Sequence, residues 1–384
     1  MANRREFMLR LSGVAALSIT TEVSQLGRMR FLRMATAMPD MSPHDRLQPD
    51  WYRRKVAQVQ EKMKERKLNA LLLLDATNII YTVGYFHLST ERPLATLIPE
   101  SGDPVMFIPG LEADQVKTWW VRDYESYFDY PGPVNRVRWI FERVAKRGFD
   151  RARIGVEEPR PSRLHQMNVG APKATIVDPG DLVEDLRLVK DEDEIRIMRR
   201  AMTYADFKVQ AGREFVQRNG SVSEDEILKV TADAVADRMS KELNDVVGVG
   251  IEPPFGGLVP FGKRSAFPHA VPSKDRLKTG DALILSFGAQ VGGYNVECER
   301  SFCVGRPTDY ATRLFDAMLA AHDAGVENMK EGAVAEEVDQ KSLDQIRKAG
   351  FEKFLRHRTG HGIGLEAMRL PGLPRVIRQC SSKA

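Results

Sequence analysis

The sequence predicts a two-domain α/β protein, with a front α/β domain at residues 50–188 and a second domain at 189–367 built on a duplicated α+β plan. Three observations predict this architecture. Short apolar segments typical of buried strands alternate with helical periodicity before residue 188. A long helical pattern then begins after Lys190. Finally, the segment Gly-Ser-Val-Ser-Glu at 220–224 is echoed by Gly-Ala-Val-Ala-Glu at 332–336, which indicates a duplicated supersecondary unit.

The front domain begins with an amphipathic helix, because four apolar residues recur at helical spacing in a charged stretch. They are Tyr52, Val56, Val59 and Met63. Four strands are predicted from short apolar runs bounded by turn residues. They cover Ala70 to Leu74, Ile79 to Val83, Val105 to Pro109 and Arg153 to Glu157, with a turn at 75–78 between the first two.

The second domain is predicted to open with a helix over 191–217, whose first turn is acidic and therefore suits the helix dipole. Its buried stripe is predicted to hold five apolar residues, Ile195, Met198, Met202, Ala205 and Phe215. Ser223 and Glu226 form a capping-box pattern for a second helix, from Glu224 to about Lys241. The apolar runs 281–290 and 294–304 flank a Gly-Gly pair and predict a β-hairpin.

Composition excludes several classes of protein. The chain has 384 residues, of which 42% are hydrophobic and 29% charged, which is too apolar for a disordered protein. No run approaches the ~20 apolar residues of a membrane span. Three cysteines do not make a disulfide scaffold. The net charge of +4 comes from residues 1–37, with six Arg and two acids, and the remaining 51 bases and 51 acids cancel, so no nucleic-acid-binding surface is indicated.

Residues 1–45 are treated apart from the fold. Arg4-Arg5, followed by a short apolar stretch and Ala35-Thr36-Ala37, resembles a twin-arginine export signal with a small-residue cleavage site. The alternative is a solvated basic tail or sequence translated from a misplaced start. The first interpretation predicts a periplasmic protein, and the second a cytoplasmic one.

Three clusters of residues have the chemistry of an active site. They are Ser265–His269, the hairpin residues Ser286, Glu297, Glu299 and Arg300, and the Gly-rich segment Thr359–Gly364 around His361. Glycines beside a histidine let a ligand approach the imidazole closely. Two carboxylates at i and i+2 on a strand lie on one face. Taken singly, each cluster is better explained without an active site, as a Gly-rich turn, a surface or satisfied core histidine, or a solvated strand face.

Taken together, the order and spacing of these motifs resemble the pita-bread metallopeptidase family, which includes prolidase, aminopeptidase P and creatinase. The matching segments are Lys190 to Ala201, Ser265–His269, the hairpin after Gly280-Asp281, and Gly360-His361-Gly362. Residues 78–85, Asn-Ile-Ile-Tyr-Thr-Val-Gly-Tyr, resemble the N-terminal domain of prolidase and creatinase. The resemblance covers about residues 50–367 and implies a creatinase-type N-terminal domain followed by a pseudo-symmetric pita-bread catalytic domain.

The resemblance also implies roles for individual residues. The family holds two divalent metals, Mn, Co or Zn, with two Asp, one His and two Glu. His361 matches the ligand His, Glu297 stands at the second Asp, and Ser286 stands where the first Asp ligand is lost. His269 matches the histidine that contacts substrate, and Arg300 is assigned to substrate binding. His269, Glu297 and His361 are therefore the predicted catalytic residues, with Glu297 and His361 as metal ligands.

The end of the sequence departs from the family pattern. Residues 368–384 contain no carboxylate that would match the two glutamate ligands. For one possible choice of codons, a one-base change of reading frame after about Ala367 gives His-Glu-Ala-Pro-Trp, close to the family's His-Glu-x-Pro. The sequence thus leads us to expect an aberrant tail at 368–384, an incomplete pita-bread domain, and weak or absent metal binding with impaired activity.

Three functions are consistent with the sequence. The first is an Xaa-Pro dipeptidase or aminopeptidase P-like hydrolase of C–N bonds, acting on short peptides. The second is a metal-independent, creatinase-like amidinohydrolase acting on a small amidine or amide, with His269 as general base. The third is a catalytically inactive pita-bread protein that binds a partner. Relatives imply a homodimer, and neither nucleic acid nor a membrane is an expected partner.

Overall fold

The computed structural model describes residues 45–128, 132, 135–157, 161–244, 256–267 and 269–366. The front domain is built on a six-stranded mixed sheet. Its strands are β1 (Ala70–Leu73), β2 (Ala95–Pro99), β3 (Val105–Pro109), β4 (Tyr124–Tyr127), β5 (Arg153–Val156) and β6 (Thr175–Val177). They lie in the order β4-β3-β2-β1-β5-β6, with β1 parallel to β5 and antiparallel to β2. This α/β architecture confirms the predicted fold class of the front domain.

Helices cover this sheet. They are α1 (Pro49–Glu65), α2 (Ala76–Val83), α3 (Ala113–Val116), α4 (Arg136–Val144), α5 (Pro161–Gly170) and α6 (Leu182–Leu188). The predicted amphipathic helix is confirmed as α1, and its four predicted apolar residues are all buried. The strands predicted at Ala70, Val105 and Arg153 are confirmed within one residue at each end.

The strand predicted at Ile79–Val83 is wrong, because these residues form the second half of helix α2. Asp75 is the N-cap residue, and its side chain accepts hydrogen bonds from the backbone N–H groups of Thr77 and Asn78. Gly84 ends the helix in the left-handed conformation, with φ +68°. Burial on nearly every face made the run look like a buried strand, and periodicity cannot separate the two for a short apolar segment.

In the described part of the second domain there are two helix pairs and one three-stranded antiparallel sheet. The first pair is α7 (Glu192–Asn219) and α8 (Glu224–Glu242), and the second is α9 (Asp309–Asn328) and α10 (Ala335–Lys348). The sheet has the order β7 (Gly257–Leu258), β8 (Ala282–Val291) and β9 (Tyr294–Cys303). Both predicted helices and the hairpin are confirmed, and so is the capping box of Ser223 and Glu226.

The stripe predicted for α7 is displaced around the helix. Ala205 is fully buried, whereas Ile195, Met198, Met202 and Phe215 are only partly buried. The buried positions instead include three polar side chains, those of Glu194, Tyr204 and Lys208. The prediction assumed that charged residues are exposed. The predicted stripe therefore lies about one position away from the residues that are buried in the structure.

The similar segments 220–224 and 332–336 occupy equivalent positions in the fold. Each segment connects the first helix of a pair to the second, since α8 begins at Glu224 and α10 at Ala335. The first pair packs α7 against β8 and β9, where Gly212 leaves room for Leu285 and Phe287. The second pair forms its own small core from Ala317, Ala321, Ile346 and Phe351.

The two domains share one continuous hydrophobic core. Trp51, Tyr52 and Tyr81 of the front domain belong to the same buried cluster as Ile197 and Tyr294 of the second. None of the helices in the described part of the chain is long and apolar enough to cross a bilayer. The Arg4-Arg5 signal and the tail at 368–384 lie outside the described residues.

Candidate active site

The hairpin of β8 and β9 places the predicted carboxylates on one face. In its register Ser286 lies opposite Glu299, and Gly288 lies opposite Glu297. Side chains alternate along a strand, so Glu297 and Glu299 point to the same side. The neighbouring residues Val296 and Cys298 are buried on the other side, toward α7. The face that carries Ser286, Glu297 and Glu299 is therefore the polar face of the hairpin.

A two-residue turn fixes this register. Gly292 and Gly293 have φ values of +54° and +84°, as a type I′ turn requires at both central positions. A Cβ atom at Gly292 would lie 2.6 Å from the backbone oxygen of Asp45, so only glycine fits. A slip of one residue would turn both glutamates into the core.

The segment that carries His361 is bound to the start of β9. The backbone N–H of Asn295 donates to the carbonyl oxygen of Gly364 at 2.7 Å. The Asn295 side-chain amide donates to the carbonyl oxygens of Gly364 and Leu365, both at 3.1 Å. Because Asn295 lies two residues before Glu297 on β9, it holds the His361 segment beside Glu297.

His361 and Glu297 come together there. Nε2 of His361 lies 3.5 Å from Oε2 of Glu297, and Nδ1 lies 3.1 Å from the carbonyl oxygen of Gly362. A carbonyl oxygen only accepts, so Nδ1 carries the proton and donates. In the neutral imidazole Nε2 is then an acceptor that faces the carboxylate acceptor of Glu297. Two facing acceptors are stabilised by a positive charge between them, either a proton or a metal ion.

Burial raises the pKa of Glu297, and the charge of His361 opposes this rise. Glu299, on the same face, adds to the rise by repulsion between like charges. The Glu297 side chain remains 39% exposed, whereas that of His361 is 17% exposed. The pair therefore lies at an accessible surface where a substrate can reach it.

Ser286 is bound to the second carboxylate of this face. Its Oγ donates to Oε1 of Glu299 at 2.5 Å. A neutral hydroxyl is a far weaker ligand for a divalent cation than the Asp that the family resemblance places here. Bound to Glu299 in this way, Ser286 turns its proton toward the carboxylate and contributes no negative charge of its own.

The donor set fits one cation and does not fit a pair. Two ligands of a tetrahedral ion at ~2.0–2.2 Å lie about 3.3–3.6 Å apart, which matches the separation of His361 Nε2 and Glu297 Oε2. Among the described residues no group of three His, Cys, Asp or Glu side chains could hold a metal ion. Glu297 and His361 thus offer two donor atoms at a spacing that suits one ion, and Ser286 does not supply the charge that a second ion requires.

The two predicted substrate residues lie outside this pair. His269 is exposed in a turn after the 3₁₀ helix Gly262–Ala266 and has no hydrogen bond or ion pair with Glu297 or His361 among the described residues. Arg300 falls on the β9 face of Val296 and Cys298, and its Nη1 donates to the carbonyl oxygen of Glu299. The structure thus brings together Ser286, Glu297, Glu299 and His361, and the roles of His269 and Arg300 stay predictions.

Sequence reasoning missed two residues that support the site. Asn295 anchors the His361 segment, and the buried Lys208 lies behind β8, where Nζ donates to the carbonyl oxygens of Gly256 and Gly288. Burial lowers the pKa of Lys208 to about 8. A signal for Asn295 was its position two residues before Glu297, but no sequence pattern marks Lys208 as buried.

Two family models match the chain. That of metallopeptidase family M24 matches residues 195–383, and that of the creatinase/prolidase N-terminal domain matches residues 55–189. The two matches adjoin at the start of α7, and together they include both domains of the structure. Glu297 and His361 lie within the M24 match.

Similar proteins and solved structures are consistent with these two family matches. An Xaa-Pro dipeptidase of Lactobacillus delbrueckii subsp. lactis is 28% identical over 319 residues, which are 82% of this chain and 83% of that protein. The structure of an Xaa-Pro dipeptidase from Bacillus anthracis superposes with a TM-score of 0.72 and 25% identity, over 86% of this chain and 87% of that one. A prolidase from Pyrococcus horikoshii has the same fold, with a TM-score of 0.69 and 23% identity over 86% and 87% of the two chains.

Proposed function

Because this chain belongs to metallopeptidase family M24 and carries a creatinase/prolidase N-terminal domain, we propose that it hydrolyses the C–N bond before proline in short Xaa-Pro peptides. The observation that carries this proposal is the approach of His361 to Glu297 on the polar face of the hairpin. The preference for proline is taken from the Xaa-Pro dipeptidases that this chain resembles.

Glu297 and His361 are the residues that would hold a divalent ion, with Mn, Co or Zn as the expected metals. Such an ion would supply a hydroxide at neutral pH and polarise the amide carbonyl. We propose a single, weakly bound ion, because Ser286 replaces a charged ligand and affinity depends on the ligand count. The carbonyl of Gly362 keeps the proton on Nδ1 and so directs the Nε2 lone pair toward Glu297.

The remaining polar groups act around the reacting amide. Glu299 is the carboxylate nearest to this pair on β9, and Ser286 donates to it, which fixes its orientation. His269 is proposed to contact the substrate carbonyl, and Arg300 the substrate carboxylate. Both assignments require the substrate to extend beyond the polar face, because His269 lies in an exposed turn and Arg300 lies on the opposite face of β9.

The hydrogen bond from Ser286 to Glu299 favours a second candidate function. A site that lacks one charged ligand fits a metal-independent amidinohydrolase, in which His269 is the general base and a small amidine or amide is the substrate. A third possibility is a binding protein on the same fold that has lost hydrolysis. The same assay separates the three.

We further propose that the protein is a homodimer, and that its compartment depends on residues 1–45. A twin-arginine signal at Arg4-Arg5 would direct export to the periplasm, and a basic tail would leave the protein in the cytoplasm. Light scattering of the purified protein measures its oligomeric state. Mass spectrometry of the N-terminus after expression in a bacterial host shows whether residues 1–45 have been removed.

The test of the proposed function is hydrolysis of Ala-Pro and Gly-Pro dipeptides by the full-length protein. We expect activity with added Mn²⁺ and its loss with EDTA. Removing one member of a unit of catalytic groups typically costs several orders of magnitude, so His361→Asn should lower kcat/KM by about 10²–10⁴. Ser301→Ala, on the same strand but outside the pair, is the control and should retain activity.

Each outcome assigns one function. Chelator-sensitive hydrolysis supports the metallopeptidase. Hydrolysis of creatine or a related amidine that EDTA leaves unchanged supports the amidinohydrolase. A folded protein that hydrolyses neither class of substrate at any metal concentration contradicts both and leaves the binding protein.

A further inference from the structure

Among the described residues, the segment His361–Glu366 is bound both by the hairpin and by the front domain. Asn295 binds its middle through the carbonyl oxygens of Gly364 and Leu365. The other anchor is Arg187 of helix α6 in the front domain, whose Nη2 lies 2.7 Å from Oε2 of Glu366. The catalytic imidazole is thus at one end of a short segment whose other end is held by the front domain.

Arg187 is unusual for a residue that makes an ion pair with a loop. It is only 4% exposed, whereas the Glu366 side chain is 44% exposed. A buried guanidinium normally needs several partners, because its charge is costly to remove from water. Arg187 has a second partner in Asn78 of helix α2, since its Nη1 donates to the Asn78 Oδ1 at 2.7 Å.

Asn78 is itself held by two carboxylates. Its side-chain Nδ2 donates to Oε1 of Glu157 and to Oε1 of Glu184, both at 2.5 Å. Glu157 accepts further hydrogen bonds from the backbone N–H groups of Leu74 and Asp75. These contacts fix the amide orientation of Asn78, and with it the direction in which Arg187 reaches Glu366.

The linker between the domains contacts the same segment at a second point. A Cβ atom at Gly364 would lie 3.1 Å from Cε of Lys190, so the lysine stem packs directly on this glycine. Gly364 is also the residue whose carbonyl oxygen accepts from the backbone N–H of Asn295. The segment is therefore clamped between the hairpin and the end of the front domain.

We propose that Arg187 is a positioning residue for His361, which acts through Glu366 and depends on Asn78 for its own orientation. The proposal rests on the proposed function, because it assigns to the front domain a part in placing the imidazole of that site. Displacement of a reacting group by about 1 Å can cost about 10²-fold in rate, and partners that orient a metal-ligating group typically contribute 10–100-fold.

The test compares Arg187→Met with Glu366→Gln, the double variant, and Arg54→Ala. Arg54 also crosses between the domains, to Asp193 at 3.2 Å, but this exposed pair does not contact the His361 segment, so it is the matched control. Glu366→Gln changes an accessible side chain and covers the case in which Arg187→Met does not fold. Hydrogen–deuterium exchange of the peptide that contains residues 359–366 is measured beside the kinetics on Ala-Pro.

We expect Arg187→Met and Glu366→Gln each to raise exchange in 359–366 by at least about tenfold and to lower kcat by about 10–100-fold with KM nearly unchanged. The double variant should lose no more kcat than the more impaired single variant, because both substitutions remove the same contact, the ion pair of Arg187 and Glu366. Arg54→Ala should match the wild type in both measurements.

Unchanged exchange in 359–366 for both variants would overturn the proposal, as would an increase spread equally over both domains. If no variant or wild-type protein hydrolyses Ala-Pro, the proposed function fails, while the exchange result still decides whether Arg187 holds the His361 segment.

Discussion

At the scale of single residues, the site depends on which atoms can donate a proton. Nδ1 of His361 is committed to the carbonyl oxygen of Gly362, so Nε2 presents a lone pair toward Glu297. Ser286, in contrast, presents its proton to Glu299. The first arrangement attracts a cation and the second satisfies a carboxylate without one. This difference is the reason for proposing one ion rather than two.

A second residue-scale feature is the carboxyl group of Glu157, which supports Asn78. Burial raises its pKa to about 7, in spite of the hydrogen bonds it accepts from Asp75, Asn78 and Leu74. In the unfolded chain its pKa returns to the ordinary value near 4.5. Between these two values the folded state holds a proton that the unfolded state releases, so stability falls as pH rises from about 4.5 to 7.

We therefore expect Glu157→Gln to remove this component of the pH dependence. From pH 5 to pH 8 the free energy of unfolding should fall by about 1–3 kcal/mol more in the wild type than in the variant. Urea denaturation at both pH values measures this difference, and a constant offset between the proteins does not affect it. Parallel stability curves would show that Glu157 titrates normally in the folded protein.

At the scale of elements, local signals predicted most of the fold. The capping box at Ser223 and Glu226 and the glycine pair in the hairpin turn are short-range features whose geometry depends on a few adjacent residues. Helix α2 was mistaken for a turn and a strand because β-branched residues dominate its second half. Its N-cap, Asp75, was assigned to the turn that the same residue type also favours.

This explanation predicts that Asp75 decides the start of α2. Asp75→Ala removes the acceptor of the Thr77 and Asn78 N–H groups and should lower the free energy of unfolding by about 1 kcal/mol, within a range of about 0.5–2. Asp75→Asn retains a side-chain oxygen and should lose much less. Thermal or urea unfolding of the three proteins makes the comparison, and equal losses in the two variants would mean that the cap is not the source of the stability.

At the scale of the whole molecule, a partly buried ion cluster joins the two domains. Nζ of Lys55 on α1 lies 3.0 Å from Oδ2 of Asp191 and 3.7 Å from Oε2 of Glu194, at the start of α7. Tyr294, the first residue of β9, donates its hydroxyl proton to Glu194 at 2.9 Å. The front domain is thereby tied to the same strand that carries Glu297.

Long-range contacts of this kind explain what the sequence alone could not give. Glu297 and His361 were identified from the order and spacing of several motifs, which together resemble the pita-bread metallopeptidase family. The burial of Glu194, Lys208 and Arg187 depends on partners that are distant in sequence, such as Lys55, Gly256 and Glu366. A charged residue reads as exposed until its partner is known, so the polar connections between the domains were missed.

Glu297 and His361 are proposed to bind one divalent ion together. The most direct measurement is equilibrium dialysis of Mn²⁺ against the full-length protein, with metal per chain determined by mass spectrometry. We predict saturation at one ion per chain, loss of binding in Glu297→Gln, and retained binding in His269→Gln, since His269 has no hydrogen bond or ion pair with Glu297 or His361 among the described residues. Two tightly bound ions per chain, or undiminished binding in Glu297→Gln, would show that this pair is not a single-ion site.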